Sequence, residues 1–310
     1  MSITLAEAQV GMADKVDQQI IDTFRRSSLL LDALTFDNAI SPGTGGSTLS
    51  YGYIQLKSPS TAAVRTINTE YTPNEAKREE KLAKAVIMGG SFEVDRVLQN
   101  TSGAVDELAF QAEQKIKATA NEFHNAAINS ESGLKAALEG TENEFTSEAD
   151  LTTSAAMDEN YGTLLDEVDA LISAVDGKPT MLLMNRDMLT KMRSSARRAG
   201  YYTRSEDSFG RTVEAYNDIP MVDVGGYYNG SETVNIIPTD GGKTAIYAVS
   251  IGLDGFHGIS PVGNSVIQGY MPDMTAPGAV KKGEVELVAG VVLKNTLKAA
   301  VLKDIAIKTA

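Results

Sequence analysis

Between Lys57 and Lys81 the chain has almost nothing to bury. Large apolar side chains are few there; most residues are small, polar or charged. Strand patterns bracket the segment. Leu49, Tyr51 and Tyr53 alternate with Ser50 and Gly52 before it, and 82–88 forms another extended run after it. Lys57-Ser58-Pro59-Ser60-Thr61 reads as a turn, and a return strand is expected over 63–69. The charges Glu75, Lys77, Arg78, Glu79, Glu80 and Lys81 fall between the strands. The expected shape is a long hairpin-like excursion. A two-stranded hairpin alone is marginal in water, so it needs a supporting surface, and a neighbouring subunit is the obvious one. The balanced charge cluster suits ion pairs across subunits, which set register more than affinity. A solvated face is the competing reading.

The rest of the chain has ample material for a core. It runs to 310 residues with 42% hydrophobic side chains, and at roughly 150 residues per domain that implies about two structural units. Residues 13–31 place Val16, Ile20, Phe24 and Leu31 near helical spacing, an amphipathic helix. The run 41–47 has three glycines and a proline and reads as a linker, which sets the N-terminal segment apart as an arm. After Gly89-Gly90 the chain turns helical. Val105, Leu108, Ala112, Ile116, Ala120, Phe123 and Ala127 form one stripe, Thr101 or Ser102 offers a cap, and Asp106 and Glu107 suit the first turn. A helix over 102–128 would be a strut roughly 40 Å long.

The polar, acidic run 140–156 reads as a loop and a domain boundary. An α/β unit follows. Leu164, Leu165, Val168, Leu171, Ile172 and Val175 define a helix stopped by Asp176-Gly177-Lys178-Pro179, then Met181-Leu182-Leu183-Met184 reads as a buried strand. Asn185 caps a helix to Ala199, and short strands are expected at 212–215, 220–224 and 244–251. Two apolar extended runs, 285–293 and 297–307, close the chain around a Lys294-Asn295-Thr296 turn.

Chemistry is scarce. Cysteine is absent, so disulfides, thiolate metal sites and cysteine nucleophiles are excluded. His124 and His257 are the two histidines, too few for a histidine-rich metal centre; His124 reads as a core or helix-end residue, and no serine, carboxylate or second histidine is placed to make His257 a general base. Gly241-Gly242-Lys243-Thr244 resembles the end of a phosphate loop, but Ile237 stands where the first glycine belongs and a strand follows, so it is a turn. Gly43-Thr44-Gly45 lacks the third glycine of a dinucleotide fingerprint, and Gly252, Gly255 and Gly258 read as turns around His257. Glu142 with Glu144, and Glu79 with Glu80, sit in polar runs as solvated carboxylates. The arginines at 193, 197, 198 and 204 fit the last turn of a helix. No catalytic constellation survives, and neither an enzyme nor a cofactor is expected. The formal net charge of −13 argues against a dedicated duplex-DNA reader, though not against a container for nucleic acid. Residues 1–5 do not open a signal peptide and no apolar run spans a membrane, so a reducing cytoplasm is the expected site of synthesis.

The order of parts, together with four stretches, resembles the major capsid proteins of tailed phages with the HK97-like fold, a family shared with encapsulins. The stretches are 63–70 (Ala-Val-Arg-Thr-Ile-Asn-Thr-Glu) in the hairpin, 90–95 entering the strut, 183–187 in the α/β unit, and Phe209-Gly210-Arg211 before Ile219-Pro220-Met221. The resemblance implies an α+β fold with an N-terminal arm (1–47), an extended E-loop hairpin (48–88), a peripheral domain with a long spine helix (89–154 and 281–310) and an α/β axial domain (155–280). It implies a structural subunit that assembles through pentamers and hexamers into an icosahedral shell around a phage dsDNA genome. Assembly would take place in the host bacterial cytoplasm, and the product would be the virion capsid. The chain itself is the first partner, with a portal, a separate scaffolding protein and a decoration protein as further ones, and no membrane. Candidate inter-subunit contacts are Lys57, Arg65, Glu70, Glu75, Lys77, Arg78, Glu79, Glu80 and Lys81. Some relatives join lysine to asparagine by an isopeptide bond; nothing in the sequence supports that at Lys57. An encapsulin-like compartment for protein cargo is the alternative reading, and an α/β enzyme with an unrecognised site is the third.

Overall fold

A computed structural model describes residues 29–40, 49–58, 60–101, 107–200, 204–206, 212–261 and 267–309. The linker at 41–47 and most of the helix expected over 13–31 lie outside them. The chain runs through α1 (Leu29–Ala33) and β1 (Phe36–Asp37) to an antiparallel ribbon of β2 (Ser50–Ser58) and β3 (Lys77–Lys84). Next come β4 (Val86–Asp95), α2 (Arg96–Thr101), the long α3 (Glu107–Asn129), α4 (Leu134–Leu138) and β5 (Glu144–Thr146). The α/β part contains α5 (Ser154–Ala174), β6 (Met181–Met184), α6 (Arg186–Arg198), β7 (Arg204–Glu206), β8 (Thr212–Tyr216) and β9 (Ile219–Asp223). A small ribbon of β10 (Gly226–Tyr228) and β11 (Thr233–Asn235) precedes β12 (Lys243–Val249), β13 (Phe256–Ile259) and β14 (Ile267–Tyr270). The last strands are β15 (Val280–Leu293) and β16 (Ala299–Ala306).

Two sheets carry the body. The larger has the order β5-β16-β12-β6-β9-β8-β7, with β5 parallel to β16, β6 parallel to β9 and the other neighbours antiparallel. Period-two alternation divides its side chains between two cores. Leu182, Met184, Ile246, Ala248, Ala300 and Leu302 face α5 and α6, which supply Leu164, Val168, Leu171, Met188 and Met192. Met181, Leu183, Tyr247, Val249, Ala299 and Val301 face the opposite way, toward Phe123, Ala127 and Ile128 of α3 and toward β15. The second sheet is built on β15, which pairs with β4 along 280–289, with β14 at 284–287 and with β13 at 290–293. It alternates too: Leu287, Ala289, Val291 and Leu293 enter the shared core. The closing strand β16 thus belongs to the larger sheet, while β15 anchors the other.

The caps behave as the residue types dictate. Thr153 accepts from Ala156 N at the start of α5, and Asn185 accepts from Met188 N at the start of α6. Gly177 (φ 89°) follows the first helix, as expected for a left-handed stop. The strut helix begins at Glu107 among the described residues; its 23 residues extend about 34 Å. Leu108, Ala112 and Ile116 of the expected stripe pack on β4, while Phe123 and Ala127 enter the main core.

Four expectations need correction. Residues 63–69 are not a strand: among the described residues no neighbouring backbone pairs with them to complete a ladder, and β-branched side chains alone do not make one. The return strand is instead β3, so the charge cluster forms part of the ribbon and not its tip. Residues 77–80 of the ribbon are exposed on both faces, and charges are tolerated there. The chain also does not turn helical after Gly89-Gly90, which lie inside β4 opposite Glu286 and Val285. A Cβ on Gly89 would stand 2.1 Å from the Val285 carbonyl oxygen, so close strand approach explains that glycine. Finally, Gly258 is in β13 and not a turn; a Cβ there would meet the Phe36 ring at 2.4 Å. The run 82–88 is extended as expected but broken at Ala85, where β3 leaves the ribbon and β4 joins the second sheet.

Candidate assembly surfaces

The hairpin is fixed firmly at one end. Ala83 and Ala85, with Tyr51 and Tyr53, pack on Ile40, Ile259 and Val292. The Tyr51 ring meets His257 edge-on at 6.1 Å, its hydroxyl donates to Asp37 Oδ2 at 3.2 Å, and Lys294 Nζ lies 5.3 Å from its ring centroid. Gln55 Nε2 donates to the Lys294 carbonyl at 3.3 Å. Aromatic packing and cation–π contact therefore clamp the root to the end of β15.

Beyond the root the packing stops. Ile54 and Leu82 lie on one face of the ribbon, each 67% exposed. The connecting segment 60–76 is exposed throughout. It is nevertheless ordered locally. Thr69 N and Oγ1 both donate to the Thr66 carbonyl, at 3.3 and 2.8 Å, with Asn68 in the left-handed region (φ 69°). Arg65 Nη1 donates to the Thr69 carbonyl at 3.1 Å, and its guanidinium stacks 5.4 Å from the Tyr71 ring centroid.

The charged residues singled out from the sequence all fall on this excursion. Lys57 sits at a register shift in β2, Arg65 and Glu70 in the tip, and Glu75 in the approach to β3. Lys77, Arg78, Glu79, Glu80 and Lys81 are successive residues of β3, so alternation sends them to opposite faces. They stand across from Ser58, Leu56, Gln55, Ile54 and Tyr53, and not from one another. Charge reasoning overlooked the exposed apolar residues beside them: Ile54, Val64, Ile67, Tyr71 and Leu82. The available signal was apolar side chains in a segment with no core of its own.

The residues tested for chemistry serve the body. His124 is buried in α3, and neither ring nitrogen completes a hydrogen bond. Burial pushes its pKa down to about 4, only partly offset by the adjacent Val224 backbone. His257 is also buried; burial lowers its pKa, opposed by its 3.3 Å contact with the Gly255 carbonyl. Glu144 pairs with Lys303 at 2.7 Å, which holds its carboxyl below the usual range. Arg193 pairs with Glu214 and Arg198 with Asp158, each at 2.5 Å, so these arginines tie α6 to its neighbours. Gly241 and Gly242, both with positive φ, make the turn into β12. Among the described residues no group of three or more His, Asp or Glu is placed to hold a metal ion, and no helix is long and apolar enough to cross a membrane.

No protein-family model matches the sequence, and no curated protein matches it. Solved structures do. The holo-SrpI encapsulin complex of Synechococcus elongatus PCC 7942 superposes with a TM-score of 0.64 at 15% identity, over 99% of this chain and 97% of that one. The capsid of a native GTA particle gives 0.60 at 11% identity, over 99% and 100%. The capsid of Myoviridae phage XM1 gives 0.60 at 12% identity, over 98% and 99%. Agreement end to end shows the architecture: the chain has the α+β HK97-like capsid fold.

Proposed function

We propose that the chain is the structural subunit of a closed icosahedral shell, assembled through pentamers and hexamers around a phage dsDNA genome. One observation carries the reading. The hairpin is clamped at its root and further out leaves Ile54, Leu82, Val64 and Ile67 exposed, while the body holds two extensive cores of its own. Such an element gains its burial from a neighbour, so its stability is tied to assembly. The full-length likeness to shell proteins supports the same view.

In this reading 1–47 is the arm, 48–88 the E-loop lying over an adjacent subunit, 89–154 with 281–310 the peripheral domain, and 155–280 the axial domain near the symmetry axes. The charges from Lys57 to Lys81 set the register between subunits. A portal, a scaffolding protein and a decoration protein complete the particle, which is built in the host cytoplasm and needs no catalysis by this chain. The acidic excess suits a wall that contains a polyanion without gripping it. An encapsulin-like compartment is the second reading, favoured by the 0.64 superposition. Negative-stain microscopy of the expressed protein tests both, with closed shells as the expected result. A monodisperse monomer or dimer at high concentration overturns shell formation. Particles filled with a protein and free of DNA decide for the compartment.

A further inference from the structure

We infer that the hairpin tip of one copy plugs the groove at the foot of another copy's hairpin, with Val64 and Ile67 as the inserted side chains. This rests on the shell reading and gives its contact a specific seat. The tip is pre-shaped: the Thr66–Thr69 turn is closed by three hydrogen bonds and braced by Arg65 on Tyr71. A recognition element ordered before contact loses less entropy on binding. Ile67 within that turn and Val64 just before it stand outward, at 90% and 102% exposure. In water such display is unfavourable, and an apolar pocket relieves it.

The groove is a cavity of about 510 Å³ between the hairpin foot, the end of α3, α4 and β15. Its accessible walls are Leu82, Val86, Ala126, Ala136 and Ala137. Leu82 and Val86 are 67% and 49% exposed, so the groove is itself apolar surface left uncovered. Lys84 and Glu131 stand on its rim, and neither makes an ion pair among the described residues. The tip brings one charge of each sign, Arg65 and Glu70, to meet them, an arrangement that fixes orientation and favours the correct partner.

The occupant is a second copy because the groove stands open in the folded chain while the tip of that same chain is exposed throughout. At 102% and 90% exposure, Val64 and Ile67 are covered by no described part of their own chain, so the burial they lack must come from another.

The cysteine-free sequence makes the test clean. Ile67→Cys and Ala136→Cys both replace exposed residues, so each variant should fold. Assembled particles of the double variant are treated with a short bis-maleimide and run on a denaturing gel. The expected result is a ladder of covalent multimers at least about tenfold stronger than in either single-cysteine variant, as specific proximity raises the effective concentration. Peptide mapping should place the bridge between 67 and 136. Shells without such a ladder, a ladder equally strong in a single variant, or a bridge that joins 136 to 136 or 67 to 67 in place of 67 to 136 each overturn the seat and leave the shell reading standing. No shells from the unsubstituted protein overturns both. As an independent arm on the other charge pair, Lys84→Glu should slow assembly and Glu70→Lys should restore it; slowing without restoration removes the assigned ion pair and, with it, the seat.

Discussion

The seven-stranded sheet and the hairpin are both β-structure from one chain, and they use it in opposite ways. In the sheet, the central strands β6, β9, β12 and β16 send alternate side chains into two cores, and Leu182, Leu183 and Met184 are wholly enclosed. In the hairpin, only the root does so; Ile54, Leu82 and the tip face water. Hydrogen bonding along the two is of the same kind, so the ladder does not account for the difference. What differs is the apolar area available on both faces, which is the dominant favourable term in folding. The sheet is stable by its own burial. The hairpin is an arm whose burial must be completed elsewhere.

That contrast is open to attack, beginning with the largest effect. Phe123→Ala should destabilise the unassembled protein by about 3–5 kcal/mol, since the ring is fully buried and packs 5.8 Å from Phe36. Denaturant unfolding would measure it, and a loss below about 1 kcal/mol would refute a rigid core there. The pH dependence follows from His124. Its folded pKa of about 4 lies below the ordinary 6.5, so the unfolded chain takes up the extra proton between those values. Stability is therefore full above about pH 6.5 and falls by about 3 kcal/mol on descending to pH 4. Substituting His124→Leu should flatten that part of the curve; an unchanged slope means another group is responsible.

Next comes Asn185→Ala. The side chain accepts from Met188 N at 2.8 Å and donates to the Ile237 carbonyl, Thr239 and Thr244 at 3.0, 3.2 and 2.8 Å. Losing a cap and a buried donor together should cost about 2–3 kcal/mol in thermal or chemical unfolding. At the small end stands the hairpin. Replacing 60–76 with a two-residue turn should move unfolding of the free subunit by less than about 0.5 kcal/mol, yet abolish shells in the microscope. Reversing Arg78 and Glu79 together should likewise leave stability within about 0.5 kcal/mol while impairing assembly. Normal particles from the shortened chain would end the claim that the hairpin serves assembly.

Much of the body was legible because its signals are local. Asn185 and Thr153 announce helix starts, Gly177 a helix stop, and Met181–Met184 a strand enclosed on both sides. The stripe from Leu108 to Ala127 marks the strut because burial on one helical face recurs at fixed spacing. The hairpin was legible as a segment with nothing to bury. Its interior was not: β-branched residues at 63–69 look more strand-like than Lys77–Lys84, yet the latter pair with β2.

The sequence alone determined which residues must leave water, where helices begin and end, and that one excursion has no core of its own. Apolar periodicity and capping are properties of a few neighbouring side chains, so they can be read along the chain. Only the tertiary structure decided which strands lie side by side: that Gly89 runs through a strand against Val285, that Gly258 yields to Phe36, and that β15 and β16, adjacent in sequence, enter different sheets. Every residue but proline offers the same backbone donor and acceptor. Pairing is therefore chosen by the fit of whole faces far apart in the chain, and no local pattern records it.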